Sequence, residues 1–445
     1  MIITLLFFTL ILGTLVVYFV NNKKLLSPTL ILFAGFTVSS FFTVINRELF
    51  IIDISFITYL VIISSLIAWG LGDMISKSAF TKIKKPILSF EPKYKILPSN
   101  QILFISCLIV FGVAFSEYYR FINLGKSLGG DNFIIYYSLI REFVVEGQNS
   151  GVQTGEFLAT KTVVLMITIA KTLTYFFIVL FFYNKYFHRV KKYRYLILIL
   201  FFLPILFFTT SRTTFLELFL FIIITMVLIK SQSIGWGKDS LKILRKIVIP
   251  FLFVTVGFYT VGFIRSNGIV SEFSSNMLNS LSKYFGSSIY GLDILLERKM
   301  VQSNYFGEQT LSFLYSILGK LGFMFDKLPL HSEDFYIGNG ADQSNVYTAL
   351  RKPIIDFGIL GMLGSRVVMG FIYGLIYRFY SNNLNNPYSI KTYVILPLLY
   401  FPLMMYVFSD LFNYFFQYSF IETLLILFLL QRLIVKKSLV FNNVS

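Results

Sequence analysis

From Tyr195 to Ile229 the chain carries only two ionisable groups besides the tyrosine, Arg212 and Glu217. As a single helix this stretch would run about 50 Å, well beyond the roughly 30 Å of a bilayer's hydrocarbon core. It reads instead as two membrane spans folded at "TTSRTT", with Ser211 and Arg212 in the tip. A guanidinium in that place either snorkels from a hairpin tip or binds an anion at the membrane face.

The same patterning recurs along the chain. Its 445 residues are 56% hydrophobic and only 14% charged, with a mean hydropathy of +0.74. A soluble chain of this length would need far more polar surface. The expected fold is therefore all-α, a polytopic transmembrane helix bundle of about 11 spans (10–12), forming a single integral membrane domain over residues 1–445. The spans are expected near 2–20, 28–45, 55–72, 99–116, 162–182, 195–209, 214–230, 247–264, 354–377, 393–409 and 413–430. The first apolar run, Ile2 to Val20, has no basic flank before it and no small-residue cleavage site, so it is expected to be a retained helix. Cys107 is the sole cysteine, which excludes an intrachain disulfide.

A net charge of +17 raises the question of a nucleic-acid partner. Its distribution answers otherwise. With the N-terminus outside, "NKYFHRVKKYR" and the Lys77–Lys95 loop fall on the inner side, together with most of the basic excess. The outer segments are close to charge balance. This is the positive-inside pattern, so the excess encodes topology and no nucleic-acid partner is expected.

Two outer segments are long. Residues 117–161 contain glycine-rich and polar turns. Residues 265–353 form the large outer loop, within which Leu311, Leu314, Leu318, Leu321 and Phe325 recur at helical spacing opposite Ser312, Ser316 and Lys320. This predicts an amphipathic helix, lying at the membrane boundary or packed on the bundle. The chain has no Gly-Lys-Ser/Thr phosphate loop and no D-x-D pair. Its two histidines, His188 and His331, fall on opposite sides of the expected topology. No metal site and no cofactor are expected, although scattered carboxylates leave a magnesium site open.

The outer face carries arginines where spans begin or end. Arg212 lies in the hairpin tip, Arg265 closes the eighth span in "VGFIRSNG", and Arg351 precedes the ninth in "NVYTALRKPIIDFG". Several guanidinia around one pocket can hold a pyrophosphate without a metal. Asp342, Asn345 and Tyr347 form a polar cluster beside them, suited to hydroxyl recognition, with Asp342 as a candidate base. His331 with Glu333 and Asp334 is a second base candidate. Pro353 suits a first helical turn and places Asp356 near the outer helix end, where it either meets substrate or complements the helix dipole. Within the spans, Glu217 is spaced to orient Arg212, and Arg366 to pair with Glu217 or Glu422.

At "TTSRTTFLELFLF", "GFIRSNG" and "SNVYTALRKPIIDFGILG" the chain resembles the Wzy-type O-antigen polymerases (oligosaccharide repeat unit polymerases), relatives of the O-antigen ligases. The resemblance extends to most of the architecture. It implies a GT-C-like bundle in the bacterial inner membrane, with 265–353 as a periplasmic loop containing amphipathic helices. The implied reaction is a metal-independent, inverting glycosyl transfer in the periplasmic leaflet, using undecaprenyl-pyrophosphate-linked oligosaccharides. Arg212 and Arg265 match the arginines implied in pyrophosphate binding, and Ser344-Asn345 stands where ligases and some relatives have His-Asn. The lipid bilayer and a polysaccharide chain-length regulator are the partners implied. A lipid-linked oligosaccharide flippase or other transporter, and the ligase itself, are the alternatives. A transporter should show related halves and ionisable residues along several spans; four such residues occur here, and no repeat is seen.

Overall fold

Ten of the eleven expected spans coincide with helices of the computed structural model. It describes residues 1–50, 53–83, 95–149, 160–209, 212–235, 237, 240, 242–243, 245–246, 277–297, 303–323, 335–337, 342–383 and 390–435. The expected eighth span, 247–264, lies outside the described residues. Among the described residues, eight helices are long and apolar enough to cross a membrane, as a multi-pass protein requires. Tyr193–Phe208 and Ile390–Met404 are shorter apolar helices.

The helices are α1 (Ile2–Val20), α2 (Pro28–Ile45), α3 (Phe56–Ile83), α4 (Asn100–Ser127), α5 (Phe133–Asn149), α6 (Lys161–Phe187), α7 (Ile197–Phe208) and α8 (Arg212–Ile234). Then come α9 (Met277–Glu297), α10 (Ser312–Lys320), α11 (Arg351–Asn383), α12 (Ile390–Met404) and α13 (Tyr418–Leu430). Between α10 and α11, β1 (Phe335–Ile337) and β2 (Asp342–Ser344) pair antiparallel, with Ile337 opposite Asp342. Local chemistry sets several starts. Pro28 opens α2, the Ser99 hydroxyl accepts from the Ile102 amide at α4, and Thr160 does the same for Val163 at α6.

The chain divides into two units. The first comprises Met1–Ile87, Asn276–Asn382 and Tyr400–Phe416. In it α1 and α9 pack on α2. Two glycines let α3 and α11 approach closely. A Cβ on Gly72 would come within 2.1 Å of the Val367 carbonyl oxygen, and one on Gly370 within 2.2 Å of that of Trp69. Small residues at such crossings bring backbones together in apolar surroundings. Gly358, at φ 68° and ψ −176°, breaks α11 into two helical segments.

The second unit comprises Leu88–Ser275, Asn383–Leu399 and Gln417–Ser445. Here α7 and α5 pack on α4, while α8 and α13 pack on α6. From Thr172 to Asn184 the side chains of α6 are buried on all faces. A helix apolar all round belongs in the middle of a bundle. The buried Asn184 amide donates to the Ile96 carbonyl at 2.8 Å and accepts from the Ile96 amide at 3.2 Å, pinning the segment before α4.

The large outer loop is more structured than its composition suggests. It contains α9, whose Asp293 is 2% exposed. Asp293 Oδ1 accepts from the Ser55 amide at 2.8 Å and the Thr58 hydroxyl at 2.6 Å, capping the start of α3. The expected amphipathic helix is α10. Its Phe313 ring stacks on Phe416 with 3.8 Å between centroids, and Asn413 donates to the Ser312 hydroxyl at 2.8 Å. Of the leucine stripe, Leu314 and Leu321 stay exposed and Leu311 and Leu318 are partly buried, while Phe325 lies outside the described residues.

Candidate functional site

In the first unit, the sequence-predicted residues gather at the start of α11. The approach to it, Tyr347 to Leu350, is buried. The Ala349 amide donates to the Tyr406 carbonyl at 2.8 Å, tying this segment to the end of α12. Arg351 follows, its guanidinium carbon 4.9 Å from the centre of the Tyr347 ring. That stacking orients the guanidinium. Lys352 adjoins it and donates to the Asp410 carbonyl at 3.4 Å.

Tyr347 is a packing residue on one side. Its ring lies 5.0 Å from Phe335 in an aromatic cluster with Phe50 and Tyr290. Burial, together with the carboxylates of Asp293 and Glu297, raises the Tyr290 phenol above its ordinary range. Asn345 is exposed. The Ser344 hydroxyl meets that of Ser287 at 3.0 Å and accepts from the Val346 amide. It thus braces the hairpin on α9. Asp342 is placed only by backbone, opposite Ile337.

Asp356 has three donors. Its carboxylate accepts from the amides of Gln309 at 3.0 Å and Thr310 at 2.7 Å, and from the Ser303 hydroxyl. Glu308 closes the same loop by accepting from the Asn304 amide at 2.8 Å. In this structure Asp356 clamps residues 303–310 to α11, a partner some fifty residues upstream that no local spacing reveals.

Deeper on α11, Arg366 is 2% exposed. Its partners are two hydroxyls of its own unit. Nη1 donates to the Tyr406 hydroxyl at 3.0 Å and Nε to the Ser365 hydroxyl at 3.2 Å. Further along, Arg378 Nη1 lies 2.7 Å from Asp73 Oδ1, and Asp73 Oδ2 accepts from the Thr29 hydroxyl at 2.8 Å. Burial, with Lys77 and Arg378 nearby, holds the Lys24 ammonium below the ordinary lysine range.

In the second unit, Arg212 is the first residue of α8. Ser211 and Arg265 lie outside the described residues, as do His331, Glu333 and Asp334. Glu217 forms an ion pair with Lys171, Nζ to Oε1 at 3.2 Å, across α6 and α8. The sequence placed both inside spans without linking them. Among the described residues no group of three or more His, Cys, Asp or Glu could hold a metal ion.

Neither a protein-family model, nor a curated protein, nor a solved structure matches this chain.

Proposed function

We propose that this chain is a membrane glycosyltransferase that polymerises undecaprenyl-pyrophosphate-linked oligosaccharide repeat units, acting at the periplasmic face of a bacterial inner membrane. The observation that carries this reading is the position of two sequence-predicted arginines: Arg212 opens α8 and Arg351 opens α11. A cation at the positive end of a helix is unfavourable on its own. A bound pyrophosphate reverses the sign of that interaction. The Tyr347–Arg351 stack further holds one guanidinium in place.

In the proposed reaction a sugar hydroxyl of the acceptor repeat unit attacks the anomeric carbon of the growing glycan. The glycosyl–oxygen bond breaks and the lipid pyrophosphate leaves with the bonding pair. The resemblance assigns Arg212 and Arg265 to stabilise the charge that builds on the leaving group. Asp342 is the candidate acceptor of the hydroxyl proton, with Asn345 as a candidate sugar contact. In this account Asp356 supports the site by fixing the 303–310 loop.

The test uses Arg212→Ala and Arg265→Ala in cells. Both variants are expected to insert normally, yet lipopolysaccharide should carry the core plus one repeat unit in place of a ladder. Each lost donor is expected to slow transfer roughly 100- to 1000-fold. A full ladder from both variants would overturn the assignment of these residues.

A further inference from the structure

Arg366 raises a separate problem. It lies within a helix apolar enough to cross a membrane and is 2% exposed. Of the five N–H donors on a guanidinium, one goes to Ser365 and one to Tyr406. Both acceptors are neutral hydroxyls. The guanidinium carbon also lies 5.4 Å from the centre of the Tyr406 ring. None of the ion pairs among the described residues includes Arg366.

A second donor nearby lacks an acceptor. Trp69 is fully buried, and its indole Nε1 has no hydrogen-bond partner. Its ring lies 5.6 Å from that of Tyr406 and 5.6 Å from that of Tyr373. The guanidinium and the indole therefore flank the same phenol. Asp410 lies within electrostatic reach of Tyr406 and Tyr373. Asp410 Oδ1 accepts from the Phe412 amide at 3.1 Å, and Lys352 sits against its carbonyl at 3.4 Å. The surroundings of Tyr406 thus have spare donors and a guanidinium with no ion-pair partner among the described residues.

Arginine does not escape by losing its proton, and a lone buried charge is costly. Water would satisfy the donors and leave the charge. An anion satisfies both. We propose that Arg366 and Trp69 form the donor side of a buried oxyanion site beside Tyr406, taking an anion of the phosphate class. The guanidinium fork matches phosphate oxygens. In a membrane bundle phosphate arrives on a lipid headgroup or free from solution. The glycine crossing at Gly72 and Gly370 fixes α3 against α11, so the two donors are held ready. This site stands on its own observations and does not depend on the polymerase reading.

Trp69 also supplies the readout, because Trp69 and Trp236 are the two tryptophans of the chain. In a Trp236→Phe background, full-length protein in a phosphate-free maltoside detergent is titrated at constant ionic strength. The probes are inorganic phosphate, a polyprenyl monophosphate, acetate and chloride. A saturable change in Trp69 emission is expected with a phosphate probe, with affinity at least tenfold weaker in Arg366→Gln. A response to inorganic phosphate assigns free anion, and a response to the polyprenyl phosphate alone assigns a headgroup. The proposal is overturned by no saturable response to either phosphate, by an equal response to acetate or chloride, or by an unchanged response in Arg366→Gln. Should Arg366→Gln fail to fold, Arg366→Lys is held to the same tenfold criterion. Polymer formation is not measured, so failure here leaves the proposed reaction standing, and the reverse also holds.

Discussion

Arg366 and Arg378 lie on the same helix, roughly three turns apart, in opposite circumstances. The Arg378 guanidinium meets a carboxylate, Asp73, which also accepts from Thr29. That one carboxylate joins α2, α3 and α11, and no charge is left over. Arg366 is the more buried of the two, and its partners are hydroxyls. A buried arginine with its acid in place is explained by the fold. One without an acid is not, and it points to something the fold receives. Asp356 belongs with Arg378 in this comparison, since its carboxylate is filled by two backbone amides and a hydroxyl.

The largest expected effect breaks the filled member of that comparison. Asp73→Ala removes the carboxylate that faces Arg378 and should cost about 3–5 kcal/mol, as removing one partner of a buried pair does. The measurement is thermal unfolding in detergent. The double variant Asp73→Leu/Arg378→Met should recover most of the loss, whereas additive losses would show that the pair is not the staple described. Arg366→Gln should do the opposite, leaving ligand-free stability unchanged or raised.

Next in size is the loop clamp. Asp356→Ala removes the acceptor for two amides and a hydroxyl, and hydrogen bonds to charged groups are worth about 1.5–3 kcal/mol. Faster limited proteolysis between Ser303 and Thr310, with the rest of the chain intact, is the expected result. An unchanged cleavage pattern would argue that the loop is held elsewhere.

The smallest effect concerns pH. The Lys24 pKa is lowered in the folded chain by burial and by Lys77 and Arg378. Its charged form therefore opposes folding below the ordinary lysine range, and the penalty fades as pH rises toward the unfolded value of 10.5. Lys24→Gln should raise stability at pH 7 by no more than about 0.5 kcal/mol, with the gain shrinking toward pH 10. A gain that grows with pH would reverse the sign assigned here.

How much of this the sequence carries follows from the range of each interaction. Spans are written locally, in runs such as Ile2–Val20, because the bilayer sets both their length and their polarity. Arg212 and Arg351 could likewise be placed at span edges by inspection, and each opens a helix. The Lys171–Glu217 pair, the Asp356 clamp and the Tyr406–Arg366–Trp69 group are different in kind. Each joins residues far apart in the chain, and nothing in spacing or composition selects one partner over another. The outer loop misled for a related reason. The helix α9 mixes serines with apolar residues, and Ser282, Ser287 and Ser288 are buried, the Ser288 hydroxyl meeting that of Ser39 on α2 at 3.3 Å.

The central claim, glycosyl transfer from a lipid pyrophosphate, is tested most directly with purified full-length protein and undecaprenyl-pyrophosphate repeat units in a chelator-treated buffer. The account predicts products extended by successive repeat units, with undecaprenyl pyrophosphate released in step, and loss of both in Arg212→Ala. Intact protein that moves the lipid-linked unit across a liposome membrane and forms no longer product would contradict it.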